Sequence, residues 1–277
     1  MAIDAHAHIF TEGAHRAYMQ KAAGRVDKII SILSEPALDD AGNEFPISLH
    51  DLLSFAASHL DIAVVGAVNT QKDISPQLAE LEGFLKEKKI VGIKMYPGYE
   101  HFYASDKIVF PVAELCQKYN APLIFHTGDV DDSVATSVLK YSHPIHVDEL
   151  AVTYPECKII IAHFGFPYLL EAANVVSKNK NVFTDISATI VQTKNTIDAE
   201  NLLNQYIVDL KRVFAYFPDI RRKVMFGTDY VGEFGVLNEV GPYFKIVEDV
   251  FTPEEREHAL SGLVKELFSL SEDIANL

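Results

Sequence analysis

Near its start the chain reads AIDAHAHIF (residues 2–10), which spaces Asp4, His6 and His8 two apart among alanines and isoleucines. In an extended strand such positions share a face. The three are therefore expected on one side, with Ile3, Ala5, Ala7 and Ile9 packed on the other. Two imidazoles at this spacing can reach one cation, but metal sites take three or four ligands, and a lone H-x-H is more often an ordinary polar strand end. Further candidates stand far along the chain: Lys94 in KMYPG, His126 in FHTGD, His163 in AHFGF, Asp185 in FTDIS and Asp229 in FGTDY. Each follows an apolar run, and Gly, Pro or Ser lies close by.

Those runs are the elements that must position the candidates. Eight segments read as strands: AIDAHAHI, VDKIISIL, DIAVVGAVN, IVGIKMY, PLIFHTG, KIIIAHFG, NVFTDIS and KVMFGTD. Most are apolar over several residues and rich in Ile and Val, as parallel strands covered on both faces require. Between them lie helix-periodic stretches such as SLHDLLSFAASHL, SPQLAELEGFLKEKK, FPVAELCQKYN and TIDAENLLNQYIVDLKRVFAYF. Ser48 is expected to cap the first of these, Ser75-Pro76 to open the second with proline at its first position, and Pro111 to open the third. Strand and helix alternate, so a parallel sheet follows, and eight units in 277 residues predict an α/β fold of the (β/α)8 TIM-barrel type in a single domain, residues 1–277. An open doubly wound sheet is the rival, but no glycine-rich phosphate loop follows the first strand.

Composition narrows the class of partner. A formal charge of −15 argues against nucleic acid and against an anionic membrane surface. The two cysteines, Cys116 and Cys157, lack C-x-x-C spacing and read as buried thiols. No apolar run reaches the length of a spanning helix and no basic leader precedes one, so the expectation is a cytoplasmic protein acting on a small molecule, with a homodimer as the expected assembly.

In a closed barrel the strand ends meet on one rim, where active sites form. Singly, each candidate has a plain explanation: a hydrogen-bonded strand-end histidine, a turn cap, a lysine paired with a carboxylate. Together, four histidines, a lysine and an aspartate converging there lack counter-groups unless a cation sits among them. Imidazoles with one carboxylate suit zinc first, then manganese, iron or nickel, rather than magnesium or calcium. Such a metal lowers the pKa of a bound water and polarises carbonyls, which makes Asp229 a candidate general base.

The D-x-H-x-H of the first strand, His126, His163 and the G-T-D aspartate resemble the amidohydrolase superfamily. The resemblance is strongest to its amidohydrolase-related branch of aminocarboxymuconate-semialdehyde decarboxylase-like enzymes and metal-dependent hydrolases, and it runs from residue 2 to about residue 230. The tail TPEEREHALSGLVKELFSL looks like the family's closing helix, with Leu263 where an asparagine is expected. The resemblance implies that His6, His8, His126 and Asp229 bind a first metal. It makes His163 either a ligand to a second metal or a group that polarises substrate and assists proton transfer. Lys94 is either a carbamate bridging two metals or an ammonium holding a substrate carboxylate, so one or two ions are expected. Asp185 is expected to orient a histidine or a loop rather than to bind metal. Tyr96, Tyr99, His101 and Tyr103 could line the pocket, whereas His143 and His146 read as turn or cap residues. The leading expectation is hydrolysis of a small ester, lactone or amide, with Asp229 as base and His163 as catalytic partner. The alternative is a non-oxidative decarboxylase or hydratase of a small aromatic or unsaturated carboxylic acid. The loops after strands one, three, four, seven and eight are expected to set the substrate.

Overall fold

Apolar segments too short to bury themselves singly find their partners in chain order. The computed structural model describes residues 1–34, 47–131, 134–189, 196–232 and 239–270; parts of the loops following the seventh and eighth strands lie outside them. Eight strands, β1 (Ala2–Ala7), β2 (Val26–Ile32), β3 (Ile62–Ala67), β4 (Gly92–Met95), β5 (Leu123–Phe125), β6 (Ile159–Ile161), β7 (Val182–Asp185) and β8 (Val224–Met225), pair in parallel from first to last. Between and after them run α1 (Glu12–Ala22), α2 (Leu49–Ala56), α3 (Ile74–Lys86), α4 (Phe110–Tyr119), α5 (Val147–Thr153), α6 (Leu169–Lys178), α7 (Thr196–Tyr216), α8 (Gly241–Val250), α9 (Pro253–Glu257) and α10 (Leu263–Leu267).

The ring closes between the last strand and the first. Ala5 N donates to Phe226 O at 3.0 Å, His8 N to Tyr230 O at 2.7 Å, and both Thr228 N and Asp229 N to His6 O at 3.2 and 2.7 Å. The expected barrel is therefore present. Its strands are shorter than the apolar runs that announced them, because the backbone leaves the ladder as it reaches the rim: His163, Phe164 and Asp229 adopt φ of 61°, 49° and 57°, left-handed values that non-glycine residues rarely hold.

Local signals set the helix starts. Ser48 and Asp51 form a reciprocal capping box at α2. At α3 the expected opening at Ser75-Pro76 is displaced: Asp73 is the cap, its carboxylate accepting Ser75 N at 3.0 Å, and the helix begins at Ile74. Asp73 wins because an ionised oxygen is the stronger acceptor for an orphan helix N–H.

Apolar side chains fill two layers. One lies between sheet and helices; the other, inside the barrel, joins Ile3, Ala5, Ile30, Ile32, Val65, Ile124, Ile160 and Met225 to Leu263, Val264, Leu267 and Phe268. Lys158, ahead of β6, donates to the Glu266 and Leu267 carbonyls at 3.3 Å, so the α10 segment seals the N-terminal end of the barrel and leaves the other rim open. Leu263, 2% exposed, belongs to this plug, which explains an apolar residue there. Among the described residues no helix is long and apolar enough to cross a membrane.

One expectation fails at the bulge in β1. The register shifts between Asp4 and Ala7, so strict alternation ends and Asp4 does not share a face with the histidines. Its carboxylate turns to the outer layer. There it accepts Tyr18 Oη of α1 at 2.7 Å, Thr228 Oγ1 at 2.6 Å, and the His6 and Thr228 backbone N–H groups at 3.1 Å each. Burial raises this carboxyl to about 6 against the pull of those donors. Replacing Asp4 with alanine strands two buried backbone N–H groups at roughly 1–3 kcal/mol each. Urea unfolding of Asp4→Ala is expected to show a loss of about 3 kcal/mol or more, with Asp4→Asn between it and wild type; a loss under about 1 kcal/mol would remove Asp4 as the link joining α1, β1 and β8.

Candidate metal centre

Closure of the ring places β1 and β8 side by side, and their rim residues meet. His8 Nε2 lies 3.2 Å and His6 Nε2 3.4 Å from Asp229 Oδ1. One ligand atom from each of His6, His8 and Asp229 falls within 4.8 Å of the others, and His6, His163 and Asp185 form a second such group among the described residues. The His6 and His163 rings are 4.7 Å apart by centroids, and those of His126 and His163 5.0 Å. All are buried: His6 0%, His8 8%, His126 7%, His163 6% and Asp229 8% exposed.

The hydrogen bonds decide what each imidazole presents. His8 Nδ1 sits 2.8 Å from the Ile32 carbonyl oxygen, which only accepts, so the ring hydrogen is on Nδ1. Its Nε2 faces Asp229 Oδ1 at 3.2 Å, and a metal ion held by both would take the place of that hydrogen bond. His6 Nδ1 is 3.1 Å from Asp185 Oδ2, which likewise leaves Nε2 as the donor atom. His126 Nε2 lies 2.8 Å from Asp129 O, and here the lone pair is left on Nδ1. Three imidazoles are thus oriented by acceptors behind them, the arrangement metal-ligating histidines commonly use. His126 stands beside the tight group rather than within it.

Electrostatics point the same way. Burial, reinforced by Lys94, lowers His6, and the same two causes take His126 to about 3. Burial holds His163 well below the ordinary histidine value. Burial works to raise Asp229, but His163, His8 and His6 outweigh it and keep the carboxyl well below its usual range. Lys94 is fully buried, its Nζ 3.1 Å from His6 Nε2 and 5.3 Å from the centre of the Tyr96 ring. Burial lowers it to about 8, with Asp229 and Asp185 opposing. Two carboxylates and one ammonium leave the cluster with a net negative charge, and the donor set of imidazole nitrogens with one carboxylate fits a divalent transition metal.

Asp185 is already saturated. Besides His6 it accepts the backbone N–H groups of His163 and Ser187 at 3.0 Å each and the Ser187 hydroxyl. It serves to orient its neighbours, and the second group is a hydrogen-bonded cluster. Of the expected pocket residues, Tyr99 and Tyr96 face the His126 ring at 4.8 and 6.4 Å. His101 does not join them: it is exposed, stacks on Tyr141 at 5.2 Å and meets Thr136 O at 2.8 Å. Tyr103 packs on Tyr141 and His146. His143 caps the turn at Pro144–His146, its Nδ1 accepting Ile145 N at 3.3 Å.

Sequence reasoning missed Ser187, whose hydroxyl lies 2.8 Å from His163 Nδ1. The available signal was its spacing, two residues beyond Asp185, which lets one side chain hydrogen-bond the other. It also missed why Gly128 follows His126. With φ +90°, a Cβ there would come within 2.0 Å of Phe166 O, so only glycine lets the loops after β5 and β6 pass.

Solved structures with this barrel include an uncharacterised TIM-barrel protein of Bordetella bronchiseptica (TM-score 0.71, 15% identity, covering 97% of this chain and 98% of that one). A probable 2-pyrone-4,6-dicarboxylic acid hydrolase of Acinetobacter baumannii superposes with TM-score 0.65 at 15% identity (97% and 99%). A dihydroxybenzoic acid decarboxylase of Polaromonas sp. JS666 with bound manganese does so with 0.61 at 16% identity (97% and 97%). At these identities the likeness concerns the fold. Protein fluG of Emericella nidulans is 36% identical over 67 residues, 24% of this chain and 7% of that protein, so the chain spans a small part of that relative's length. The amidohydrolase family model matches residues 3–262. That match runs from the second residue of β1 to the residue before α10, and the chain belongs to the amidohydrolase family.

Proposed function

We propose that this protein is a metal-dependent hydrolase of small esters, lactones or amides, with His6, His8 and Asp229 holding one divalent ion and His126 completing the set. The observation that carries the reading is the convergence of His8 Nε2 and His6 Nε2 on one carboxylate oxygen, Asp229 Oδ1, at 3.2 and 3.4 Å, with His8 Nδ1 held 2.8 Å from Ile32 O on the far side. A divalent ion bound there supplies a water of lowered pKa and a Lewis acid for the substrate carbonyl. Zinc is the first choice on donor type, and the manganese in the Polaromonas relative supports a divalent metal.

The chain's own groups divide the remaining work. Both histidine contacts of Asp229 use Oδ1, which leaves Oδ2 to take the proton of the attacking water. His163, neutral and buried beside the His6 and His126 rings, receives that proton from Asp229 and passes it to the leaving group. Tyr99 accepts Asp131 N at 2.8 Å, which leaves its own hydrogen for a substrate oxygen, and burial keeps that phenol protonated. Tyr96 donates to Leu33 O at 2.6 Å and fixes one wall of the pocket.

A second reading is favoured by Lys94, an ammonium sunk in the pocket. It is suited to a substrate carboxylate, so the same centre would act as a non-oxidative decarboxylase or hydratase of a small aromatic or unsaturated acid. The relatives include both a hydrolase and a decarboxylase.

Elemental analysis after chelator-free purification is expected to find about one divalent ion per chain, absent from His8→Ala and Asp229→Ala and unchanged in Lys94→Ala. A fall from two ions to fewer in Lys94→Ala, with bicarbonate present, would instead make Lys94 a carbamate ligand. On substrate panels, the metal-loaded protein is expected to release acid from aryl esters or lactones, and Asp229→Asn to lower that rate by 10²-fold or more on the order of lost general-base catalysis. Carbon dioxide from hydroxybenzoates with no acid from the ester panel would move the protein to the second reading.

A further inference from the structure

The chain of bonds behind His163 has a defined direction. Asp185 Oδ1 receives two backbone N–H groups, His163 N and Ser187 N, each at 3.0 Å, so it is an acceptor and carries no proton. The Ser187 hydroxyl, also against Oδ1, must therefore be the donor in that contact. A hydroxyl has one hydrogen. With it given to Asp185, Ser187 Oγ meets His163 Nδ1, 2.8 Å away, as an acceptor, and the imidazole hydrogen lies on Nδ1. Ser187 and Asp185 are 0% and 1% exposed, which keeps solvent from offering a substitute donor. The same carboxylate holds the His163 backbone, whose φ of 61° lies in the left-handed region.

We propose that Ser187 is a positioning residue: acting with Asp185, it locks His163 in the tautomer that keeps hydrogen on Nδ1 and leaves Nε2 bare beside the His6 and His126 rings. One carboxylate thereby sets two histidines at once, His6 directly through Oδ2 and His163 through the serine hydroxyl. Rested on the hydrolytic reading above, this leaves His163 Nε2 open to receive the proton that Asp229 takes from water, before that proton passes to the leaving group. An imidazole of the opposite tautomer would offer a hydrogen where a base is wanted.

The test is long-range proton–nitrogen NMR on the purified full-length chain with labelled histidine, the His163 signals being assigned by their loss in His163→Gln. Wild type is expected to show hydrogen on Nδ1 and none on Nε2. Ser187→Ala is expected to lose that single pattern for a mixture or for the opposite tautomer, and Ser187→Thr, which keeps the hydroxyl, to restore it. A wild-type spectrum with hydrogen on Nε2 would overturn the proposal even if no variant folded, as would an unchanged pattern in a folded Ser187→Ala. Metal content measured on the same samples keeps the two readings separate: absence of metal with the expected tautomers overturns the hydrolytic reading and leaves the role of Ser187 standing.

Discussion

The whole site depends on the seam where β8 meets β1. The carbonyl of His6 accepts two successive amides, Thr228 and Asp229, and the chain then turns through a left-handed residue at Asp229 itself. Without that seam the two ligand-bearing ends, more than two hundred residues apart in sequence, have no reason to meet. With it, Asp229 reaches His6 of β1 and His8 just beyond it within 3.4 Å. Asp4 reinforces the same seam from outside the barrel, binding Thr228 through backbone and hydroxyl while Tyr18 anchors it to α1. The strain of a left-handed aspartate is stored where ring closure over-determines it, as functional positions often do.

Behind the seam, the chemistry of the rim is written in acceptors. Each histidine of the cluster has one nitrogen turned outward to a group that takes its hydrogen: a carbonyl for His8 and His126, a carboxylate for His6, a hydroxyl for His163. Burial then makes the charged forms of His6, His126 and His163 costly, so these rings face inward as neutral bases. A pocket of lone pairs and two carboxylates, relieved by one lysine, favours a cation over empty space. Lys94 is the remaining tension: its amine sits 3.1 Å from His6 Nε2, the atom the metal would use.

Much of this architecture was legible before the fold was known. Runs of Ile and Val flanked by Gly, Pro and Ser located all eight strands, and helical periodicity between them implied parallel pairing. Strand ends were less legible, since a polar residue after an apolar run looks the same whether the ladder continues through it or stops. AHFGF read as strand up to its glycine, yet the strand ends at Ile161 because His163 and Phe164 are left-handed. The face of Asp4 was misread for a related reason: alternation assumes an unbroken ladder, and a bulge is a property of two paired strands.

Sequence by itself determined the composition of the rim. Residue types that bind metal and move protons stood at strand ends, and a family pattern spanning the chain could be read from them because covalent order and strand period are local. Tertiary structure decided how those groups divide. It turned Asp4 out to α1, set His101 in the solvent, and drew Ser187 into a chain of bonds that no motif announced. Side-chain direction beyond a strand end follows from neighbours brought close by ring closure, and hydrogen-bond polarity follows from which of those neighbours can only accept.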